Sequence, residues 1–116
     1  MRYMMIIHHD HEAMAQAPQK ELWAEWAAFN EALNKAGAGF SGGLRLTPGK
    51  EGTVVRNRAG KSDVLDGPYA DTREQLAGYF FIDVDGIEQA VKWANRCPSS
   101  KYGAIEIRPI VEQNAP

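Results

Sequence analysis

The stretch Val64-Leu65-Asp66-Gly67-Pro68-Tyr69-Ala70-Asp71-Thr72-Arg73-Glu74-Gln75-Leu76-Ala77-Gly78-Tyr79 holds the end of one strand, a crossing, and the start of another. Val64 and Leu65 close an apolar run, and Asp66-Gly67-Pro68 turns the chain. Asp, Gly and Pro each favour turns for a different reason: side-chain bonding to nearby N–H groups, freedom at positive φ, and a preset φ. Ala70 to Gln75 is a short, polar crossing, and Leu76 opens a second apolar run. Binding and catalytic groups are often held on turns of this kind beside a sheet.

Toward the C-terminus, Leu76 to Val84 is rich in aromatic and branched residues and reads as the strongest strand. Asp85 with Glu88 has capping-box spacing for a helix whose core face is Ile87, Val91 and Ala94. Cys97-Pro98 ends it, and Ala104 to Arg108 is a last strand with Ile105 and Ile107 on one face. Toward the N-terminus, Ser62 to Asp66 pairs back onto Thr53 to Arg58 through Ala59-Gly60-Lys61. Thr47 to Gly52 is a loop. Phe40 to Leu46 is a strand in which Gly42-Gly43 suggests a bulge or the close approach of another backbone.

A long helix begins at Pro18, where a missing N–H is harmless, and buries Leu22, Trp26, Phe29 and Leu33. Gly37 is its C-cap. Tyr3 to His8 is a strand apolar on both faces, as suits a central position. His8 to Glu12 follows as a polar loop.

The order strand, helix, strands, helix, strand predicts an α+β fold, ferredoxin-like: an antiparallel sheet with two helices on one face. The other face keeps apolar residues, Met5, Ile7 and Phe81 or their alternates. An exposed patch of that kind meets a partner, and a homodimer with sheets facing each other is the simplest expectation.

Composition narrows the class. A chain of 116 residues reads as one domain, 1–116. Such a chain buries roughly 65% of its unfolded surface, enough for one core. A hydrophobic share of 44% excludes a disordered chain. The net charge of -2 and the lack of a basic stripe argue against nucleic acid. Cys97 is alone, so no internal disulfide forms, and a cytoplasmic location is expected. The apolar run from Tyr3 to Ile7 is too short for a secretory segment, and no stretch approaches the ~20 apolar residues of a membrane span. No Gly-rich loop follows a strand and opens a helix, so no nucleotide or other organic cofactor is expected.

Asp66-Gly67-Pro68-Tyr69, with Ala70-Asp71-Thr72-Arg73-Glu74-Gln75 after it, resembles the signature of the YciI-related, or DGPF-domain, family. The opening Tyr3 to Ile7 with His9-Asp10, then Gly78-Tyr79, Trp93-Ala94, Arg96-Cys97-Pro98 and Glu106 to Pro109, are similar to the family as well. Tyr69 stands where Phe is usual, Asp71 where Glu is, and Arg73 where Lys is. The resemblance implies a dimeric α+β barrel. It implies for some relatives a His–Asp pair, and for others a link to extracytoplasmic-function sigma factors. No reaction follows from it.

Two functional readings are open at this point. One is a small cofactor-free enzyme acting on a small carboxylated or aromatic compound. The other is a non-catalytic ligand-binding or accessory module tied to sigma-factor regulation. For the enzyme, Asp66 and His9 are the candidate proton-moving pair. A carboxylate at a strand end beside an apolar face would be partly desolvated and its pKa raised; the bland alternative is a turn-stabilising aspartate. Imidazole suits proton transfer near neutrality. Successive strand residues point to opposite faces, so only one of His8 and His9 enters a given cleft. The family position favours His9, with His8 kept as a binding candidate. Tyr69 could donate to a substrate oxygen, and Arg73 could hold a carboxylate. The bland reading of Arg73 is a surface pair with Asp71 or Glu74. A metal held by His8, His9, Asp10, His11 and Glu12 lacks helical His spacing or a Cys pair, and no metal is expected.

Overall fold

The computed structural model describes residues 1–112. Strand β1 (Arg2–Asp10) runs antiparallel between β5 (Glu74–Asp83) and β6 (Gly103–Pro109), and β2 (Gly39–Arg45) pairs antiparallel with the far side of β5. The sheet order β2-β5-β1-β6 is the ferredoxin-like arrangement. The central position of β1 explains its apolar residues on both faces. Between β2 and β5 the chain inserts a separate two-stranded hairpin, β3 (Thr53–Arg58) and β4 (Lys61–Asp66).

Two helices cover one face. Helix α2 (Gln19–Lys35) buries Leu22, Phe29 and Leu33, as its spacing predicts, with Trp26 half-buried against the core. Pro18 is its N-cap rather than its first residue, and the Pro18 carbonyl accepts the first helical bond, from the Leu22 N–H at 2.9 Å. At the other end Gly37 takes φ +67, just beyond the C-cap Ala36, where a left-handed residue ends a helix at least cost. Helix α3 (Ile87–Arg96) buries Ala90 and Ala94, whereas Ile87 and Val91 are 51% and 45% exposed. The stripe is therefore rotated from the expected one: small alanines face the sheet, and the branched residues sit on the flank. Asp85 does not cap α3 either. Gly86 is the N-cap, with no side-chain bond, one residue later than the capping-box spacing implies. A third, short helix α1 (His11–Ala15) replaces part of the predicted polar loop.

The core lies between these helices and one sheet face: Tyr3, Met5 and Ile7 of β1, Phe80 and Ile82 of β5, and Phe29, Leu33, Ala90, Ala94 and Cys97. Phe29 meets the rings of Trp26, Phe80 and Trp93 edge to face at 5.6 to 6.0 Å. Full burial of Met5 and Ile82 contributes roughly 1.5–3 kcal/mol each. Met5 and Ile7 thus belong to the covered face, and their alternates Met4 and Ile6, with Phe81 and Tyr79, form the apolar part of the open one. Gly43 answers to its predicted close approach: a Cβ there would lie 2.1 Å from the Tyr79 carbonyl oxygen. Burial pushes the Cys97 thiol up to about 11, which keeps it an inert core group. No helix among the described residues is long and apolar enough to cross a membrane.

Candidate functional site

The strand β1 runs two residues past its predicted end, and those residues build the site. Ile7 opposes Gly78 and His8 opposes Leu76, which leaves Ala77 as an extra residue on β5. Such a bulge bends the strand and re-aims neighbouring side chains. The alternation of β1 then puts His9 on the helix-covered face and His8 on the open one. His9 lies between Gln75 on β5 and Gly103 on β6. Asp10 leaves the sheet as the N-cap of α1, its Oδ1 accepting from the Glu12 and Ala13 N–H groups at 3.0 and 3.3 Å. That cap turns the chain so that His11 comes back beside His9.

The imidazoles meet at right angles with centroids 4.5 Å apart, and His9 Nε2 lies 3.2 Å from His11 Nδ1. His9 is 8% exposed, and among the described residues its Nδ1 has no hydrogen-bond partner; nor has His11 Nε2. Burial drives the His9 pKa from its usual value down to about 4, helped by His11 and by the Arg45 guanidinium and opposed by Asp10. The ring is therefore neutral at physiological pH.

Both histidines line an open cleft of about 1630 Å³ between the covered sheet face, α1, the first half of α2 and the loop after β2. Leu22, Trp23 and Trp26 supply an apolar wall, and Arg45, Lys50 and Arg73 supply cationic groups. Ser99, 4% exposed on a 3-10 turn (Pro98–Tyr102), completes the floor.

Among the residues singled out from sequence, His9 and Arg73 line the cleft, while His8, Asp66 and Tyr69 do not. His8 points to the open face, where its Nε2 pairs with Glu106 Oε1 at 2.9 Å. That contact, with Arg108 second, holds the Glu106 carboxyl below its usual range. Asp66 is exposed at the end of β4, so the desolvation expected of it is not realised. Tyr69 is 79% exposed, with the Arg56 guanidinium 5.3 Å from its ring centroid. Arg73 donates from Nε to Asp10 Oδ2 at 2.7 Å, so its partner is neither Asp71 nor Glu74. That bond depresses the Asp10 pKa. Sequence reasoning groups His11 with His9 only as part of the unfavoured metal loop, and it does not bring in Arg45 or Ser99. His11 has a signal, its place in the histidine-rich loop. Arg45 has none, because its facing depends on pairing with β5.

The signature turn sits at the rim rather than in the wall. The Gly67 N–H donates to the Gly52 carbonyl at 2.7 Å, closing the base of the hairpin, and Pro68 abuts Gly49 beside Gln75. The profile of the YCII-related domain matches residues 1–114, across the sheet, both covering helices and this turn. The chain belongs to the YCII-related family. An uncharacterized protein of Rhizobium meliloti (strain 1021) is 39% identical to it over 70 residues, 57% of this chain and 55% of that protein. The match thus spans about half of the relative's length. In this YCII-related chain the signature turn braces the cleft rim, and His9, His11 and Arg45, from β1, α1 and β2, line the cleft within it.

Proposed function

We propose that this YCII-related protein is a small enzyme, without an organic cofactor, that moves a proton on a small carboxylated or aromatic compound. His9 is the proton acceptor. The observation that carries this reading is the unpartnered Nδ1 of a histidine 8% exposed in the wall of a cleft. Buried polar atoms are normally paired, and one left free beside a cavity calls for a ligand. In the tautomer where His9 Nε2–H donates to His11 Nδ1, the His9 Nδ1 carries a free lone pair and serves as the base once a ligand in the cleft reaches it. A carbon acid seated there gives its proton to Nδ1 and is left as an enolate. The same imidazolium then returns the proton at a neighbouring carbon, which is isomerisation, or to a leaving group, which is elimination. His11 holds the ring in register throughout.

Asp66, the partner of His9 expected from sequence, plays no part in this scheme, because it stands outside the cleft. Deuterium exchange tests the reading whatever the product is. Small aryl and alkyl carboxylic and keto acids are incubated in D₂O with the protein and followed by mass spectrometry. Wild type should incorporate deuterium into at least one carbon acid, and His9→Gln should not. Equal incorporation by His9→Gln refutes His9 as the acceptor.

We also infer that two copies pair through the open sheet face. Met4, Ile6, Tyr79 and Phe81 form an apolar strip there, extended by Leu44, which is 64% exposed. Patches of this kind are usually covered.

A further inference from the structure

We infer that Arg45 is the anchor for an anionic group of the substrate, so that the cleft takes a small monocarboxylate with an apolar body. The inference rests on the reading of His9 as the proton acceptor and adds the ligand's chemical class to it.

The sheet register places Arg45. Arg45 opposes Gly78 on β5, and Gly78 opposes Ile7 on β1. Directly opposed residues share a face, so Arg45 lies on the side of the sheet that buries Ile7 and His9. Gly78, between them, puts no side chain in the row. A guanidinium on β2 therefore has an open lane toward the histidines, and both Arg45 and His9 line the cleft.

Arg45 is also free to bind. Among the described residues it forms no ion pair, whereas Arg73, the other arginine of the lining, is committed to Asp10 at 2.7 Å. Arg56 lies over Tyr69, outside the cleft. Lys50 lines the rim, also without an ion pair among the described residues, and adds positive charge at the entrance. A planar guanidinium with its donors free matches a carboxylate in two parallel bonds.

The wall facing these groups suits an apolar body. Trp26 is held edge to face against Phe29 and Phe80 at 5.6 and 6.1 Å, which makes it a fixed surface. Trp23, one turn away on the lining, is 74% exposed, an indole left uncovered at the mouth. A small hydrophobic acid would cover Trp23 and place its carboxylate at Arg45, with the adjacent carbon toward His9.

Binding in that pose also improves the base. The charged and titratable groups that act on His9 are His11 and Arg45, which lower its pKa, and Asp10, which raises it. Glu12, Lys50, Asp71, Arg73 and Tyr79 complete the ionisable residues that line the cleft beside them. A carboxylate on Arg45 offsets the guanidinium charge and so removes one cause of the lowered His9 pKa, the third after burial and His11.

The test uses the full chain with phenylacetate and its neutral analogue phenylacetamide, by calorimetry and by NMR of labelled histidine. Phenylacetate should bind at least tenfold more tightly than the amide, and the His9 pKa should rise in its presence. Arg45→Gln should erase the preference for the acid. Arg45→Lys, which keeps the charge but not the fork, should retain a reduced preference, and it guards against misfolding of the first variant. Equal affinity for acid and amide, no binding of either, or an undiminished preference in Arg45→Gln overturns the inference. The two readings fail separately. An Arg45-dependent preference with deuterium exchange intact in His9→Gln leaves the anchor standing and removes His9. Loss of exchange in His9→Gln without any preference for the acid does the reverse.

Discussion

His9 takes a proton more readily in the unfolded chain than in the folded one, and this ties stability to pH at one residue. Its pKa is about 4 when folded, against an ordinary 6.5. The unfolded state therefore binds more protons between those values, and stability falls as the pH drops from 6.5 toward 4. The full difference is worth about 3 kcal/mol at one pK unit per 1.36 kcal/mol. Asp10 and Glu106, whose pKa values are depressed, act at lower pH, since their contributions are lost as the pH falls through their own folded values. Urea unfolding at pH 7.5 and pH 4.5 should show wild type losing most of that amount, and His9→Gln losing much less. A loss in His9→Gln equal to that of wild type would show that the ring is not held neutral. What sequence reveals at this scale is the opposition of His8 and His9, since strand alternation is a local property. It does not reveal that Asp66 and His9 are apart. Adjacency to an apolar strand suggests burial, but β4 belongs to a separate hairpin and never joins the main sheet.

Elements follow local rules where a single periodicity governs them, and depart from them where packing decides. The stripe of α2 and the strands β3 to β5 are legible because each is long or strongly patterned. The stripe of α3 is not, because Ala90 and Ala94 allow close approach to the sheet, and hydrophobicity alone ranks Ile87 and Val91 above them. Short α1 is unreadable for a related reason: its start is fixed by the Asp10 cap, which exists only because β1 continues to that residue. The junction of β1 and β6 shows how tightly elements fix the site. A Cβ on Gly103 would lie 2.0 Å from the His8 carbonyl oxygen and 2.7 Å from His9 Cα. Gly103→Ala must therefore push β6 away from β1 beside His9, at a cost of roughly 1–3 kcal/mol. At about 4–8 °C per kcal/mol for a small domain, its melting temperature should fall by several degrees or more. Gly42→Ala, with nothing within 4 Å of its Cβ and no positive φ, is the matched control and should stay within about 0.5 kcal/mol of wild type. Calorimetric melting of the pair checks this, and equal melting temperatures would mean that the β1–β6 approach is not a constraint.

At the scale of the whole molecule, the shape is consistent with the second copy proposed above. The radius of gyration is 16.3 Å and the thinnest extent 20 Å, against about 13 Å for the radius of a compact chain of this length. The excess has two sources, one helix layer on one sheet face and a hairpin standing apart from that sheet. Four strands spaced about 4.8 Å apart and some seven residues long give the open face a plan area on the order of 450 Å². A standard interface takes about 800 Å² per partner. The sheet face alone falls short, and further apolar surface stands on the hairpin, where Val55, Val64 and Leu65 are 59%, 61% and 59% exposed. A two-stranded hairpin is marginal by itself, so a dimer that covers both surfaces stabilises both. Sedimentation of wild type across a range of concentrations should give twice the chain mass. Ile6→Lys, which places a charge at the centre of the strip, should give the monomer. Val64→Lys should weaken association about tenfold or more while leaving the sheet intact, because β3 and β4 pair only with each other. A dimer indifferent to Val64→Lys but broken by Ile6→Lys would confine the interface to the sheet, and a monomeric wild type would remove the paired arrangement altogether.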